Sequence, residues 1–168
     1  LVRSRGLGDV YKRQVQEAAP AASLEPLFAP PKASDYKGIE FLEFAVDDNQ
    51  GAQLTHWLER LGFSKAGQHR SKNVSLLRQG DINLVLNAEP YSFGHNFFEA
   101  HGPSLCATAI RVQDSASALA RAVAYKGQPY RGLVGPNELE LAAVRAPDGS
   151  LIYLVDQDEA CLLYTSPS

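Results

Sequence analysis

The sequence predicts an α+β fold in which two βαβββ units form one curved mixed sheet with the helices on its outer side. Three observations support this prediction. A strand, a helix and three short strands follow one another twice along the chain. The two strand-to-helix junctions, after Val46 and Val112, lie about 66 residues apart. In each predicted helix, apolar residues recur at the i, i+3, i+4 and i+7 positions of an amphipathic helix.

The first unit is predicted to span residues 38–88 and begins with the apolar strand GIEFLEFAV, residues 38–46. The acidic residues that follow, starting at Asp47, can cap a helix, and Gly62 is placed to end it. The predicted apolar stripe of this helix consists of Leu54, Trp57, Leu58 and Leu61. Three short strands are predicted at residues 64–68, 74–78 and 82–87.

The second unit is predicted to span residues 104–157 and repeats this order with little sequence identity. Its first strand covers residues 105–112, and Gly127 is expected to end the helix as Gly62 does in the first unit. The predicted apolar stripe consists of Ala116, Leu119, Ala120 and Val123. Three strands are predicted at residues 128–133, 140–145 and 151–156, the last after the turn Pro147-Asp148-Gly149.

The segments outside the two units are predicted to have different roles. Residues 89–103 join the units and are expected to pack as a short helical connection. Residues 15–37, rich in proline and alanine, are typical of a linker into the domain at 38–157. Residues 1–14 and 161–168 resemble peptides translated from sequencing-adaptor DNA, so we expect them to be foreign to the protein, which would then be a fragment of a longer chain.

Composition and charge narrow the class of protein. A chain with 45% hydrophobic and 21% charged residues is an ordinary globular protein, large enough for one domain with a core. A net charge of -3 and a pI near 5.8 disfavour nucleic acid and anionic membranes as partners. With Cys161 in a suspected foreign segment, Cys106 is the one remaining thiol, which favours a cytoplasmic protein without disulfides.

Six sequence segments carry a resemblance to a known family. They are GIEFLEFAVDD, HRSK, RQGDINLVLNAEP, AHGPS, GPNEL and PDGSLIYLVD, spread over residues 38–156. The tandem βαβββ order with these segments resembles the vicinal oxygen chelate superfamily of glyoxalases, bleomycin-resistance proteins and dioxygenases. The closest resemblance is to the 4-hydroxyphenylpyruvate dioxygenase-like region that is fused behind a sugar-phosphate-isomerase-like domain in bacterial bifunctional 3-dehydroshikimate dehydratases.

The resemblance implies where a metal would lie. In the superfamily, His, Glu or Gln residues from the first and last strands of each repeat hold a divalent metal. The matching positions of this sequence are Phe41, Leu84, Ala107 and Tyr153. Three of these side chains have no lone pair to donate, and a register shifted by one residue brings in only Glu40 and Cys106. We therefore expect no metal ligand, catalytic residue or cofactor-binding residue in this chain.

The same face of the sheet is also predicted to line a cavity. Its predicted lining consists of Phe41, Glu43, Leu84, Ala109, Arg111 and Tyr153. If buried, Glu43 is expected to pair with Arg111 or Arg145, because a lone buried carboxylate is costly. Among the histidines, His56 is expected to be solvated and His69 to lie in a turn, and the spacing of His95 and His101 matches no metal-binding pair.

Two functions remain open from the sequence. In the first, the chain is the metal-free first module of the dioxygenase-like region, a scaffold that forms half of a cavity, and the fragment itself is not catalytic. Its partners would be a sister module downstream and the dehydratase domain upstream, and a divalent metal (Mg, Mn, Co or Fe) would lie elsewhere in the parent protein. In the alternative, the chain is a stand-alone, metal-free protein of the glyoxalase/bleomycin-resistance type, which forms a homodimer and binds a small aromatic molecule.

Overall fold

The computed structural model describes residues 28–132 and 140–156. Within them, strands and helices follow the predicted order. The elements are β1 (Tyr36–Ala45), α1 (Asp48–Arg60), β2 (Ser64–Gln68), β3 (Val74–Gln79), β4 (Ile82–Asn87), α2 (Phe93–His101), β5 (Ser104–Val112), α3 (Ser115–Ala124), β6 (Gln128–Tyr130), β7 (Ala142–Arg145) and β8 (Leu151–Asp156). The predicted βαβββ order of both units is confirmed.

All eight of these strands belong to one curved mixed sheet with the order β2-β3-β4-β1-β5-β8-β7-β6. The two units meet at the centre, where β1 and β5 run antiparallel. Within each unit the last strand returns parallel to the first, β4 beside β1 and β8 beside β5. The α+β class and the tandem arrangement are therefore confirmed, with the two units related by an approximate two-fold relationship.

Each helix starts at a side chain that caps its first turn. Asp47 accepts a hydrogen bond from the backbone nitrogen of Gln50 at 2.6 Å, as the acidic residues after the first strand predicted. Asp114 has the same role in α3, where it accepts from the backbone nitrogen of Ser117 at 3.0 Å. Such caps satisfy amide groups that would otherwise lack a partner at the helix start.

The predicted apolar stripe of α1 is wrong at two of its four positions. Leu58 is only 8% exposed and Leu54 packs beside it, but Trp57 is 68% exposed and Leu61 is 64% exposed. Gly51 lies on the buried side instead, near Val46. The error arises because Trp57 adjoins Leu58 in sequence and the spacing alone fits either side of the helix.

The predicted stripe of α3 is also wrong in phase, since Ala118 is its most buried residue and Ala116 and Ala120 are exposed. The prediction for Gly127 fails as well. Lys126 takes the left-handed backbone conformation after the helix, with φ of 65°. At Gly127 a Cβ atom would lie 2.9 Å from the carbonyl oxygen of Ala122. Glycine is thus required there for close backbone approach rather than for a positive φ.

The sheet buries side chains on both faces. On the outer face, α1 covers a cluster of Val46, Leu58, Leu77, Leu84 and Leu86, and α3 covers a cluster of Val112, Ala118 and Leu154. On the concave face, one cluster contains Phe41, Leu76, Val85, Ala109 and Val155. A second concave cluster joins Ala45, Cys106, Ala107 and Leu151 to Phe97 of α2. The predicted connecting helix therefore closes one end of the concave face.

Residues 28–35 form a lead-in segment that packs along α3. The backbone nitrogen of Gln113 donates to the carbonyl oxygen of Asp35 at 3.0 Å, and that of Asp114 donates to Ser34 Oγ at 3.1 Å. Arg121 Nη1 donates to the carbonyl oxygen of Pro31 at 2.5 Å. The sheet begins at Tyr36, two residues inside the range that was predicted to be linker.

Several predictions fall on other parts of the chain. The suspected foreign ends, the linker before residue 28, Cys161 and the predicted strand end at Leu133 lie outside the described residues. Cys106 is buried with a free thiol. None of the helices in the two described ranges is both long and apolar enough to cross a membrane.

Candidate functional site

The concave face brings together most of the predicted lining residues, and several of them pack against one another. Phe41 lies opposite Ala109 across the central strand pair, and Ala109 lies beside Tyr153 of β8. The Phe41 and Tyr153 rings have their centroids 6.1 Å apart. Phe41 is 4% exposed and Ala109 is fully buried. Within the described residues, these side chains therefore pack against each other as part of the core.

The prediction that Leu84 lines the cavity on the concave face is wrong, because Leu84 lies on the outer face of the sheet. It packs under α1 with Leu77 and Leu86, whereas its neighbour Val85 joins the concave cluster of Phe41. The prediction equates Leu84 with Tyr153 because each lies four residues after a turn glycine, Gly80 and Gly149 respectively. The β3–β4 turn consists of residues 80–81, but the β7–β8 turn consists of residues 146–150. A different turn length changes which residue of the following strand lies on the concave face, since successive strand side chains alternate between faces.

The parallel strand pairs give the correct equivalence between the units. Leu42 pairs with Leu84 beside α1, and Thr108 pairs with Ile152 on the same outer face. With this equivalence, the concave positions that correspond to the ligand positions implied by the resemblance are Phe41, Val85, Ala107 and Tyr153. Phe41, Val85 and Ala107 are buried hydrocarbon side chains, and Tyr153 packs beside them.

Glu43 is buried on the concave face, but its predicted pairing with arginine is wrong. Its Oε1 accepts a hydrogen bond from Asn87 Nδ2 at 2.7 Å. The Cys106 thiol donates to the backbone oxygen of Glu43 at 3.4 Å. Burial raises the pKa of Glu43, an effect that the hydrogen bonds from Asn87 and Cys106 and the charge of Lys72 only partly oppose. Burial and the neighbouring carboxylate also raise the pKa of Cys106.

The two arginines that were considered for Glu43 lie elsewhere. Arg111 Nε is 3.1 Å from a carboxylate oxygen of Glu40, at the rim where β1 has a bulge. This contact is an ion pair without the alignment of a hydrogen bond. Arg145 lies at the end of β7, next to the edge strand β6, and against Phe93 and Tyr130.

A chain of hydrogen bonds leads from Glu43 to the surface. Asn87 Oδ1 accepts from the backbone nitrogen of Glu89 at 3.0 Å, and Glu89 Oε2 accepts from that of Asn73 at 2.6 Å. Asn73 Nδ2 in turn donates to Asp48 at the start of α1 at 2.6 Å. The chain ties the end of β4 to the β2–β3 turn and to α1. It gives Asn87 a structural role that the sequence analysis missed.

A surface groove of about 290 Å³ lies between α2 and the β6–β7 edge. Its lining residues are Phe93, Asn96, Phe97, Ala100, His101, Tyr130, Arg145 and Gly149. None of the six residues predicted to line a cavity belongs to this groove. The sequence pattern indicates this groove in part, because Phe93, Phe97 and His101 recur at i, i+4 and i+8 and so share one face of a helix.

The four histidines lie on α1, in the β2–β3 turn and on α2. His56 is exposed on α1 as expected, and His69 accepts a hydrogen bond from the backbone nitrogen of Ser71 in the β2–β3 turn at 3.3 Å. His101 stacks on Phe97 with ring centroids 4.3 Å apart, while the His95 ring lies 6.3 Å from that of Tyr91. Over the described ranges, no three His, Cys, Asp or Glu residues are grouped so as to hold a metal ion.

Comparison with known proteins identifies relatives of this fold and sequence. Over 150 residues the chain is 70% identical to a protein of Pseudomonas putida named 3-dehydroshikimate dehydratase, which covers 88% of this chain and 23% of that protein. It is 44% identical over 120 residues to 4-hydroxyphenylpyruvate dioxygenase of a Pseudomonas species, covering 71% of the chain and 33% of the enzyme. The chain thus spans about a quarter to a third of the length of these curated relatives.

Solved structures agree with the sequence relatives. A xylose isomerase-like TIM barrel/4-hydroxyphenylpyruvate dioxygenase fusion protein superposes with a TM-score of 0.76 at 64% identity, over 94% of this chain and 25% of that one. Methylmalonyl-CoA epimerase of Mycobacterium tuberculosis shares the fold alone, with a TM-score of 0.57 at 20% identity over 74% of this chain and 91% of that one. The family described as hydroxyphenylpyruvate dioxygenase, N-terminal, matches residues 31–165, and the chain belongs to that family.

Proposed function

We propose that this chain is the metal-free first module of the dioxygenase-like region of a 3-dehydroshikimate dehydratase. The observation that supports the proposal is the packing at the four positions that the resemblance implies for metal ligands. Phe41, Val85 and Ala107 are buried in apolar clusters there, and Tyr153 packs among them. A divalent cation in this place would lose its water and gain at most the phenol oxygen of Tyr153, so the module serves as a scaffold.

In this proposal, the parent protein contains a domain upstream of this module and another domain downstream of it. The 70% identity to a protein named 3-dehydroshikimate dehydratase supports the activity, which removes one water from 3-dehydroshikimate to give protocatechuate. The fusion protein of similar structure supports an upstream barrel domain in the same polypeptide. A downstream sister module would carry the second metal site, and a divalent metal (Mg, Mn, Co or Fe) would be bound outside this chain, in a cytoplasmic protein.

A chimera tests the scaffold role. This chain would replace the matching segment of the Pseudomonas putida relative, and the conversion of 3-dehydroshikimate to protocatechuate would be followed by absorbance. We expect the chimera to keep the dehydratase activity of its host, because the two segments share the same core. Loss of activity in a soluble chimera with a cooperative thermal transition would contradict the assignment.

The isolated chain provides the complementary measurement. After incubation with Mg²⁺, Mn²⁺, Co²⁺ or Fe²⁺ and extensive dialysis, we expect bound metal far below one ion per chain and no formation of protocatechuate. One equivalent of tightly bound metal, or turnover by the chain alone, would overturn the proposal. A monomer with no activity would also separate the scaffold from the stand-alone homodimer of the alternative function.

A further inference from the structure

The surface groove between α2 and the β6–β7 edge has a wall of aromatic rings. Phe93 and Phe97 are 5.8 Å apart along α2, and the Phe93 ring meets Tyr130 of β6 at 5.3 Å in an edge-on arrangement. Phe97 also stacks with His101. Three rings and an imidazole thus converge from two elements of the fold on one opening. Flat apolar surfaces of this kind favour a flat apolar ligand.

A cation lies over the same rings. The guanidinium carbon of Arg145 is 5.2 Å from the Tyr130 ring centre and 5.6 Å from that of Phe93. Arg145 Nη1 donates to the carbonyl oxygen of Gly149 at 3.1 Å, which fixes the group against the β7–β8 turn. A guanidinium has five N–H donors, so this one bond leaves others available to a ligand.

The positive charge of Arg145 is not neutralised by a neighbour in the described parts of the chain. The ion pairs of arginine there involve Arg111 and Arg131. Asp148, in the adjoining turn, uses its carboxylate to bind the hydroxyl and the backbone nitrogen of Ser150, at 2.7 and 3.0 Å. The groove therefore combines an aromatic wall with a held cation that has no carboxylate partner among these residues.

We propose that this groove binds a small aromatic carboxylate. The carboxylate would accept parallel hydrogen bonds from the planar guanidinium of Arg145, and the ring would lie against Phe97 and Tyr130. The volume of about 290 Å³ is near the lower end of ligand sites in proteins, which suits a molecule with a single ring. The proposal is independent of the dehydratase activity, because the site requires neither metal nor a second domain.

Titration of the isotope-labelled chain by NMR tests the ligand class. Benzoate is the probe, with benzamide as its uncharged counterpart and cyclohexanecarboxylate as its non-aromatic one. We expect benzoate to shift the amide resonances of α2 and of residues 145–150, and the other two compounds to bind at least about fivefold more weakly. Equal binding of all three compounds, or no shifts with benzoate, would overturn the proposal.

Two matched variants test the role of the cation. Arg145→Met removes the charge and keeps an apolar side chain over the rings, so we expect benzoate affinity to fall about tenfold or more. Arg78→Met is the control. Arg78 of β3 pairs with Asn83 of β4 in the first repeat, as Arg145 of β7 pairs with Leu151 of β8 in the second. Unchanged benzoate affinity in Arg145→Met would contradict the proposal, as would an equal loss in Arg78→Met.

A third variant, Arg145→Lys, separates charge from hydrogen-bond geometry. Lysine keeps the charge but offers no planar pair of donors, so we expect a benzoate affinity between those of the wild type and Arg145→Met. A thermal transition within a few degrees of the wild type in each variant would assign the losses to the groove. Wild-type affinity in Arg145→Lys would show that charge alone suffices and would refute the paired hydrogen bonds.

Discussion

Asn87 holds the buried carboxyl group of Glu43 through a hydrogen bond of 2.7 Å from its side-chain amide. Both side chains lie on the concave face of the sheet and both are buried, Glu43 being 7% exposed. An amide supplies a donor but no compensating charge, so the ionised carboxylate remains costly in this position. The relationship makes stability depend on the protonation of Glu43.

We expect Glu43→Gln to raise the melting temperature at pH 7. Burial raises the pKa of Glu43 above its ordinary value of 4.5, so the folded state holds the proton more tightly than the unfolded state. This contribution to stability is complete below that ordinary value and is lost as pH rises through the folded pKa. The glutamine variant has no such loss, and its advantage in thermal unfolding should disappear toward pH 4.

A second change at this position separates charge from hydrogen bonding. Glu43→Leu removes the charge but leaves Asn87 Nδ2 without its acceptor, which we expect to cost about 1–3 kcal/mol of the free energy of unfolding. Chemical denaturation at pH 7 measures both variants. A glutamine variant less stable than the wild type at pH 7 would show that the charge itself is stabilising.

We expect Gly94→Ala to destabilise the contact between α2 and β4. A Cβ atom at Gly94 would lie 2.9 Å from Asn87 Nδ2 and 3.0 Å from its Cγ, and Asn87 is held in place by Glu43 and Glu89. Overpacking of this kind costs about 1–3 kcal/mol. Gly67→Ala is the control, because its Cβ atom would meet Leu76 at an ordinary 3.8 Å. Equal stability of the two variants would show that Asn87 can move.

The corrected stripe of α1 is testable by two alanine substitutions. Leu58→Ala removes a buried side chain from the cluster under the helix, and we expect a loss of about 2–4 kcal/mol. Trp57→Ala changes a side chain that is 68% exposed, and we expect the free energy of unfolding to change by no more than about 0.5 kcal/mol. Urea denaturation would distinguish them, and a loss in Trp57→Ala as large as that in Leu58→Ala would restore the predicted stripe, which contains both residues.

The cap of α3 predicts a different dependence on pH. The hydroxyl and the backbone nitrogen of Ser117 bind the carboxylate of Asp114 and lower its pKa below the ordinary value of 3.8. The cap therefore stabilises the fold above that value and is lost as pH falls through the folded pKa. We expect Asp114→Ala to lower the melting temperature at pH 7, and the difference to shrink toward pH 2.

The control for the cap is Asp81→Ala, in the exposed β3–β4 turn. This substitution removes the same charge without removing a helix cap. We expect its melting temperature to stay close to that of the wild type across the pH range. A similar loss in both variants would assign the effect to net charge.

The strands were predictable to within one or two residues where they are described, because turn residues bound them and most of them, such as β4, are apolar runs. The helices were predictable in position but not in phase. Trp57 and Leu58 are neighbours, and only the sheet beneath α1 decides which of them is buried. Amphipathic spacing carries too little information when both sides of a helix offer apolar residues.

The candidate site was harder to predict from sequence. The difference between Leu84 and Val85 depends on the length of a turn in the other repeat, which local pattern does not reveal. The pairing of Glu43 with Asn87, rather than with arginine, depends on the parallel return of β4 beside β1. The groove at Arg145 joins α2 to β6 and β7, elements that approach each other only in the folded chain.

The lead-in segment, residues 28–35, has a mechanical consequence. Its three hydrogen bonds to Gln113, Asp114 and Arg121, with the Phe28 ring set 5.5 Å from that of Tyr125, clamp it along α3. A pulling force applied at Phe28 would therefore be carried into α3 through these contacts before it reached β1.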